Sequence, residues 1–178
     1  AEIIILEKGS YISYANCGLP YYIGGVISER SRLLLQTPTT FGTRFNVDVR
    51  IENEVIRIDP EKKIVHVKNE NGVIYQESYD KLLLSPGAAP IRPNIEGIDL
   101  DGVFSLRNIP DTDKIKKYVS EKVISRALIV GAGFIGLEMA ENLHHLGAQV
   151  HIAEKLDQVM APIDFSMAQL VHSHLTEK

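Results

Sequence analysis

Cysteine and long apolar runs are scarce in this sequence, and each shortage excludes a class of protein. The 178 residues hold one cysteine and no tryptophan. A disulfide framework within the chain is therefore excluded, and we expect a reducing, cytoplasmic compartment. No apolar run approaches the roughly 20 residues that cross a bilayer, so no membrane association is expected. Repeats of solenoid length and low-complexity tracts are also missing from the sequence.

Basic residues are not in excess, which argues against a nucleic-acid partner. Nineteen Lys and Arg stand against 23 Asp and Glu, for a formal net charge of −4. A protein that contacts phosphate backbones needs a basic face, and this composition does not provide one. The chain has the composition of a globular protein and the length for one domain or two small ones.

The six histidines do not form a metal-binding pattern. His144 and His145 are adjacent, whereas His172 and His174 are two apart in a predicted helix, so neither pair shares a helix face. No second cysteine or carboxylate cluster joins them. We predict no metal site, and no Ser-His-Asp arrangement follows from the spacing.

The most informative stretch is a short apolar run that leads into three spaced glycines. Residues 127–130 predict a strand, and Gly131, Gly133 and Gly136 then match G-x-G-x-x-G. In that motif the first glycine permits a tight turn, the second lets a pyrophosphate approach the backbone, and the third lets helix pack on strand. A glycine-rich turn in an ordinary α/β domain is the alternative.

The residues after the glycines favour the dinucleotide interpretation. A helix is predicted from Phe134 to Gly147, and a second strand, 149–153, ends in Glu154. The helix should bury one apolar stripe, Ile135, Met139, Leu143 and Leu146. A carboxylate about 20 residues beyond the glycines accepts hydrogen bonds from a ribose 2′-OH. It would repel a 2′-phosphate, so NADH is favoured over NADPH, although Lys155 weakens that preference.

A similar strand followed by an acid opens the chain. Residues 2–6 are apolar and lead into Glu7 and Lys8. We predict that Glu7 is the ribose-binding acid of a second nucleotide site whose strand, glycine turn and helix lie upstream. The alternative is a surface glutamate after any strand.

The single cysteine lies in the setting Asn16-Cys17-Gly18-Leu19-Pro20. Pro20 fits the first position of a short helix. A thiol just before a helix N-terminus gains thiolate character from the free N–H groups and the dipole, which predicts a reactive cysteine. A small buried hydrophobe is the alternative.

The middle of the chain predicts strands. Residues 47–58, 63–67 and 73–79 are typical of three strands of a meander, with a hairpin turn at 69–72. Leu82–Leu84 predicts a short buried strand, whose carboxyl end would bring Ser85 to Ala88 to a ligand. Two further helices are predicted. One runs to about Val119 with Ile115 and Val119 inward, and one spans 165–175 and buries Met167, Leu170, Val171 and Leu175.

From Ser13 to Tyr22 the sequence closely resembles coenzyme A-disulfide reductases. These form, with NADH peroxidases, NADH oxidases and persulfide reductases, the single-cysteine branch of the pyridine nucleotide-disulfide oxidoreductases. The resemblance continues through residues 79–88, 106–113 and 130–136. It implies an α/β fragment of a flavoprotein with two dinucleotide folds, parallel sheets and a β-meander insertion. Residues 1–106 would be the FAD-binding domain without its first strand, turn and helix, and 107–178 the first half of the NAD(P)H-binding domain.

The resemblance also implies roles for individual residues and a homodimeric full-length enzyme. Cys17 would be the catalytic redox nucleophile beside the flavin, and Ser13 and Asn16 would touch the coenzyme A substrate. The cofactor-binding residues would be Glu7, Lys8, Ser85, Pro86, Gly87 and Ala88 for FAD, and Gly131, Gly133, Phe134, Ile135, Gly136 and Glu154 for NAD(P)H.

The expected function is transfer of electrons from NAD(P)H through FAD to Cys17, which reduces coenzyme A disulfide or a related small disulfide or persulfide. Three alternatives stay open. They are a peroxidase or oxidase that uses a cysteine sulfenic acid, a persulfide reductase, and a dinucleotide-binding module without redox chemistry. Residues 1–178 alone are expected to be inactive, because parts of the site would lie outside them.

Overall fold

The computed structural model describes residues 1–177 and has the predicted α/β class, with parallel strand pairs. Contacts divide the chain into two compact units. The first unit holds residues 1–15 and 34–89, and the second holds residues 16–33 and those from 90 onward. The segment around the cysteine is therefore grouped with the glycine motif. The domain boundary predicted at 106/107 stays a prediction.

The first unit begins with a parallel strand pair. Strand β1 (Ile4–Glu7) pairs with β4 (Asp48–Ile51), so that Glu7 lies opposite Ile51. A short antiparallel pair, β2 (Ser13–Tyr14) and β3 (Leu34–Gln36), lies between them in the chain. The strand predicted over 47–58 is in fact two strands. Glu52 has a left-handed φ of 56°, which bends the chain out of the parallel pair.

The predicted meander is confirmed. Strands β5 (Glu54–Asp59), β6 (Ile64–Lys68) and β7 (Ile74–Ser78) form an antiparallel sheet in that order. At the β6–β7 turn the Asn69 side chain accepts hydrogen bonds from the backbone N–H groups of Asn71 and Val73. Asparagine in this role stabilises the turn locally.

Helix α2 (Pro38–Phe45) is a feature that the sequence interpretation missed. Thr37 caps it: the Thr40 amide donates to Thr37 Oγ1 at 3.1 Å, and the Thr37 amide donates to Thr40 Oγ1 at 3.0 Å. Threonine before proline at a helix start is a recognisable signal. The signal was present in the sequence at Thr37-Pro38.

The second unit is built on a strand–helix–strand crossover. Strands β8 (Arg126–Val130) and β9 (Gln149–Ala153) are parallel and are joined by helix α4 (Phe134–His145). Helices α1 (Leu19–Ile23), α3 (Ile109–Glu121) and α5 (Phe165–Thr176) complete the unit. Its core contains Ile23, Ile115, Met139, Leu143 and Ala148.

The prediction of a buried strand at Leu82–Leu84 is wrong. These residues form no strand, and the Leu83 side chain is 87% exposed. A strand needs a neighbour to satisfy its backbone groups, and none of the strands in the described residues pairs with this segment.

The predicted apolar stripes are only partly confirmed. In α4, Met139 and Leu143 are buried, but Ile135 is 54% exposed, and Leu146, directly after the helix, is 44% exposed. In α5, Met167 and Leu170 are exposed, and the buried residue is Ala168 instead. Burial follows the elements that pack on a helix, and these helices are covered over a narrower face than their sequences predict.

Candidate functional site

The glycine turn connects β8 to α4 as the motif predicts. Gly131 has φ +102°, a conformation that other residues rarely adopt, and its N–H donates to the Ala153 carbonyl at 2.8 Å. The turn is therefore tied to the end of the neighbouring parallel strand. This is the edge of an open α/β sheet at which ligands bind.

The three glycines meet different surroundings. A Cβ on Gly136 would lie 2.0 Å from the Gly131 carbonyl oxygen and 3.3 Å from Cγ2 of Ile129. Only glycine lets helix and strand approach this closely. A Cβ on Gly131 or Gly133 would meet nothing within 4 Å, so the space above the turn is open. An open approach to the backbone at the second glycine is what a pyrophosphate requires.

The first turn of α4 faces this open space. Gly133 is the N-cap and makes no side-chain capping bond. The side chains of Phe134 and Ile135 are 59% and 54% exposed. Uncapped N–H groups at the start of a helix carry partial positive charge and suit a phosphate group.

Glu154 lies directly after β9, and its carboxylate reaches back to the glycine turn. Oε2 accepts from the Ala132 N–H at 2.7 Å, and Oε1 accepts from the Leu156 N–H at 2.9 Å. The bond from Ala132, followed by that from Leu156, lowers the pKa of Glu154 below its usual value of 4.5. A carboxylate has about four lone-pair sites, so Glu154 can still accept from a ribose hydroxyl.

A segment that the sequence interpretation missed also holds the turn. The Met160 N–H donates to the Ala132 carbonyl at 2.8 Å, and Met160 has a left-handed φ of 52°. Ala132 is 1% exposed, and both its N–H and its carbonyl group are therefore hydrogen-bonded. No local signal in residues 155–163 indicates this contact, because it depends on how the chain returns after β9.

The second unit also carries the cysteine. Cys17 is exposed and lies in a 3₁₀ turn, Asn16–Gly18, that runs without a break into α1. Asn16, predicted to touch substrate, is exposed as well. The alternative of a buried structural cysteine does not fit the exposure of Cys17. Pro20 is the second residue of α1, one position later than predicted.

The residues predicted to hold FAD lie in the first unit. Glu7 ends β1, and its Oε1 accepts from the Gly9 N–H at 2.6 Å. Lys8 and the stretch from Ser85 to Ala88 are exposed, and Gly87 has φ +70°. Ser13, the other predicted substrate residue, is half-buried and pairs with Gln36. A strand that ends in an acid, with an exposed lysine directly after it, is compatible with a nucleotide at this position.

Neither a metal centre nor a membrane span emerges from the part of the chain that the structure describes. Residues 1–177 bring no three His, Cys, Asp or Glu side chains together in a group that could hold a metal ion. Within the same residues, no helix combines the length and apolar character that a bilayer crossing requires.

Together, the β8–α4–β9 crossover, the open glycine turn and the terminal acid define a dinucleotide-binding class of fold. The profile of the family described as pyridine nucleotide-disulphide oxidoreductase matches residues 1–178. The chain belongs to this family.

Proteins of known name align with this chain over its whole length or nearly so. It is 38% identical over 179 aligned positions to a coenzyme A disulfide reductase of Staphylococcus haemolyticus, covering all of this chain and 40% of that protein. The crystal structure of reduced Bacillus anthracis CoADR-RHD is 52% identical, with a TM-score of 0.94 over 99% of this chain and 32% of that one. A NAD-dependent persulfide reductase from A. fulgidus is 37% identical, with a TM-score of 0.91 over 99% and 34%. The chain thus spans well under half the length of these relatives.

Proposed function

We propose that the full-length protein is an NADH- and FAD-dependent reductase in which Cys17 reduces coenzyme A disulfide or a related small disulfide. The observation that carries the proposal is an exposed single cysteine on the same compact unit as an open glycine turn. The 38% identity to a coenzyme A disulfide reductase over the whole chain supports this substrate class.

The chain's own residues suit a pyridine nucleotide. The pyrophosphate would lie over Gly131 and Gly133, against the uncapped start of α4, and Glu154 would accept from the ribose hydroxyls. Because Glu154 remains ionised, it would repel a 2′-phosphate, so NADH is the proposed reductant. Lys155 adjoins this acid and reduces the discrimination.

A second nucleotide, FAD, fits the first unit. Glu7 would bind its ribose, Lys8 would lie near the adenine, and Ser85 to Ala88 would contact it from an exposed loop. When bound, FAD supplies a carrier for two electrons between the nicotinamide and the thiol. Ser13 and Asn16 are the proposed contacts to coenzyme A.

The chemistry at Cys17 is thiol–disulfide exchange. The Cys17 thiolate attacks one sulfur of the disulfide, a Cys17–coenzyme A disulfide forms, and the first coenzyme A thiolate leaves. Two electrons that originate in NADH cleave this mixed disulfide, which regenerates the Cys17 thiolate and frees the second thiolate. The sum is NADH, a proton and one disulfide giving NAD⁺ and two thiols. With a single cysteine in the sequence, the second sulfur comes from the substrate.

The decisive experiment compares full-length wild type with Cys17→Ser. We expect thiol release from coenzyme A disulfide, at a rate dependent on NADH, by the wild type only. NADH oxidation by ferricyanide, which does not require the thiol, should persist in the variant. Unchanged disulfide turnover in Cys17→Ser would refute the proposal. Steady-state rates with NADH and NADPH in the same assay test the nucleotide preference.

Persulfide reduction is the second candidate, and the 37% identity to the A. fulgidus persulfide reductase favours it. The Cys17 thiolate would then attack the outer sulfur of a coenzyme A persulfide, the S–S bond would break and the coenzyme A thiolate would leave. Two electrons that originate in NADH would release the transferred sulfur from Cys17 as sulfide. Faster turnover of a coenzyme A persulfide than of the disulfide would identify this activity. Peroxide consumption without thiol release would indicate a peroxidase instead. A colourless protein with an inert Cys17 would indicate a binding module.

Homodimerisation of the full-length protein remains a proposal as well, supported by the resemblance of residues 13–22 to the single-cysteine reductases. Sedimentation velocity of the flavin-loaded protein tests the proposed dimer. A monomer at micromolar concentration would contradict the proposal.

A further inference from the structure

The cysteine segment, residues 16–33, is fixed to the helices of the nucleotide-binding unit at three points. The 3₁₀ turn that holds Cys17 continues directly into α1, whose residues Leu19 and Ile23 are 3% and 0% exposed. No flexible loop separates the thiol from this buried helix. Any displacement of α1 therefore moves Cys17 as well.

The first anchor is the contact between Gly24 and Asn142 of α4. A Cβ on Gly24 would lie 2.0 Å from Asn142 Oδ1 and 2.7 Å from Asn142 Cβ. Asn142 is 2% exposed, and its side-chain amide donates to the Glu138 carbonyl at 2.8 Å, which holds it in place. Gly24 has φ −69° and ψ −12°, a conformation open to any residue. Glycine is therefore needed here for space and not for backbone freedom.

The second and third anchors come from α3. Lys116 Nζ donates to the Ile23 carbonyl at 3.1 Å, at the end of α1. Arg30 binds Asp113 through two bonds, from Nε to Oδ1 at 2.8 Å and from Nη2 to Oδ2 at 2.7 Å. Paired bonds of this kind fix orientation as well as distance.

Helix α4 connects the two halves of the site. Its first turn, from Phe134, faces the predicted pyrophosphate position, and Asn142 lies two turns further on, at about 1.5 Å per residue. The same rigid element thus carries the glycine turn at one end and the contact to α1 further along.

We infer that Asn142 and Asp113 are positioning residues for the Cys17 thiol, which they hold in place through α1 and the segment after it. This inference rests on the proposed function, because it assigns their role to thiol chemistry. Neither residue touches the reacting atoms. They affect the reaction only through the position of the Cys17 sulfur.

Gly24→Ala is the sharpest probe, because it adds one methyl group against Asn142 at a backbone conformation that alanine tolerates. In the full-length flavin-loaded protein, we expect kcat with the disulfide to fall by about tenfold or more, since a misplacement of about 1 Å can cost about 100-fold. The KM for NADH and the rate of ferricyanide reduction should stay within about twofold, because neither requires the thiol. Adding Asn142→Gly should restore part of the lost kcat, since it removes both the Oδ1 and the Cβ that the new methyl group meets.

Asp113→Asn tests the second anchor, with Glu121→Gln as its matched control on the same helix. Glu121 pairs with Lys117 at 3.9 Å on the surface, and loss of such a pair has little effect. Disulfide kcat should fall in Asp113→Asn and remain at the wild-type value in Glu121→Gln. The alkylation rate of Cys17 by iodoacetamide, measured in the reduced proteins, should change in Gly24→Ala and Asp113→Asn alone.

Two results would overturn the inference. One is wild-type disulfide turnover and alkylation in both Gly24→Ala and Asp113→Asn. The other is a parallel fall of disulfide and ferricyanide rates, which would mean a general structural loss. Failure of the proposed function is a separate outcome, seen as wild-type protein that does not reduce the disulfide. The alkylation rates still decide the positioning role in that case.

Discussion

At the scale of single residues, the glycines of the turn have separable roles. Gly136 is confined by the backbone of the turn itself, because a Cβ at this position would lie 2.0 Å from the Gly131 oxygen. Gly133 has open space where its side chain would be. The first should therefore matter for folding and the second for binding.

A pair of alanine substitutions separates these roles. Gly136→Ala should destabilise the full-length protein by about 1–3 kcal/mol, the usual cost of overpacking, seen as a lower thermal midpoint. Gly133→Ala should leave the midpoint unchanged and raise the KM for NADH by about tenfold, because the methyl group occupies the phosphate position. Equal midpoints for the two variants would contradict this division of roles.

The ionisation of Glu154 provides a second prediction at this scale. Its pKa lies below 4.5 because the Ala132 and Leu156 amides bind the carboxylate. These bonds are complete above the usual pKa and are lost as the pH falls through the lowered value. The amide resonance of Ala132 should therefore titrate below pH 4.5 in the wild type, and this titration should disappear in Glu154→Gln. Titration above the usual value, or the same titration in both proteins, would contradict the geometry.

At the scale of elements, local caps and longer contacts contribute differently. Helix α2 begins at a reciprocal pair of bonds between Thr37 and Thr40. Strand β4 is joined to the meander by Arg50, which binds Glu77 at 2.6 Å and Tyr75 at 3.3 Å. The cap depends on neighbours in sequence, whereas the Arg50 contacts depend on how β4 packs against the meander.

Removing the cap of α2 should cost a measurable amount of stability. Thr37→Ala should lower the free energy of unfolding by about 1 kcal/mol, because the Thr40 amide loses its acceptor. Thr39→Ala is the control, since Thr39 is exposed and lies inside the helix. Urea denaturation of full-length protein measures both. An equal loss in the two variants would show that the cap contributes nothing specific.

At the scale of the whole molecule, the second unit has an open sheet face. Leu128 and Val130 of β8 are 65% and 76% exposed. The chain spans 40% of the length of the Staphylococcus haemolyticus relative. In the full-length protein we expect the rest of the chain to cover this face, because doubly wound folds place helices or strands on both sides of a parallel sheet.

A charge on this face tests that expectation. Leu128→Asp should lower the thermal midpoint of the full-length protein strongly, because an unpaired carboxylate would be buried. Ser120→Asp, at an exposed position of α3, should change it little. Equal, small shifts for both variants would mean that the face stays open to solvent.

The parts of the fold that rest on local chemistry were predictable from the sequence. The strand–turn–helix–strand unit was predictable from Gly131, Gly133 and Gly136. The need for glycine at each of these positions arises within a few residues of sequence. The meander followed from alternation and from the turn at Asn69. The cap at Thr37 was predictable in the same way, although it was missed.

Which helices and strands contact each other became clear only from the folded chain. Gly24 and Asn142 are far apart in the chain, as are Arg30 and Asp113, which are 83 residues apart. No local pattern encodes such pairs, because side-chain contacts depend on how whole helices pack. The burial of side chains also depends on how the elements pack. Leu83 is apolar but has no strand beside it among the described residues, so it remains exposed. The cysteine was evident from the sequence, whereas the contacts of α1 and Gly24 with α3 and α4 were evident only from the packing of these helices.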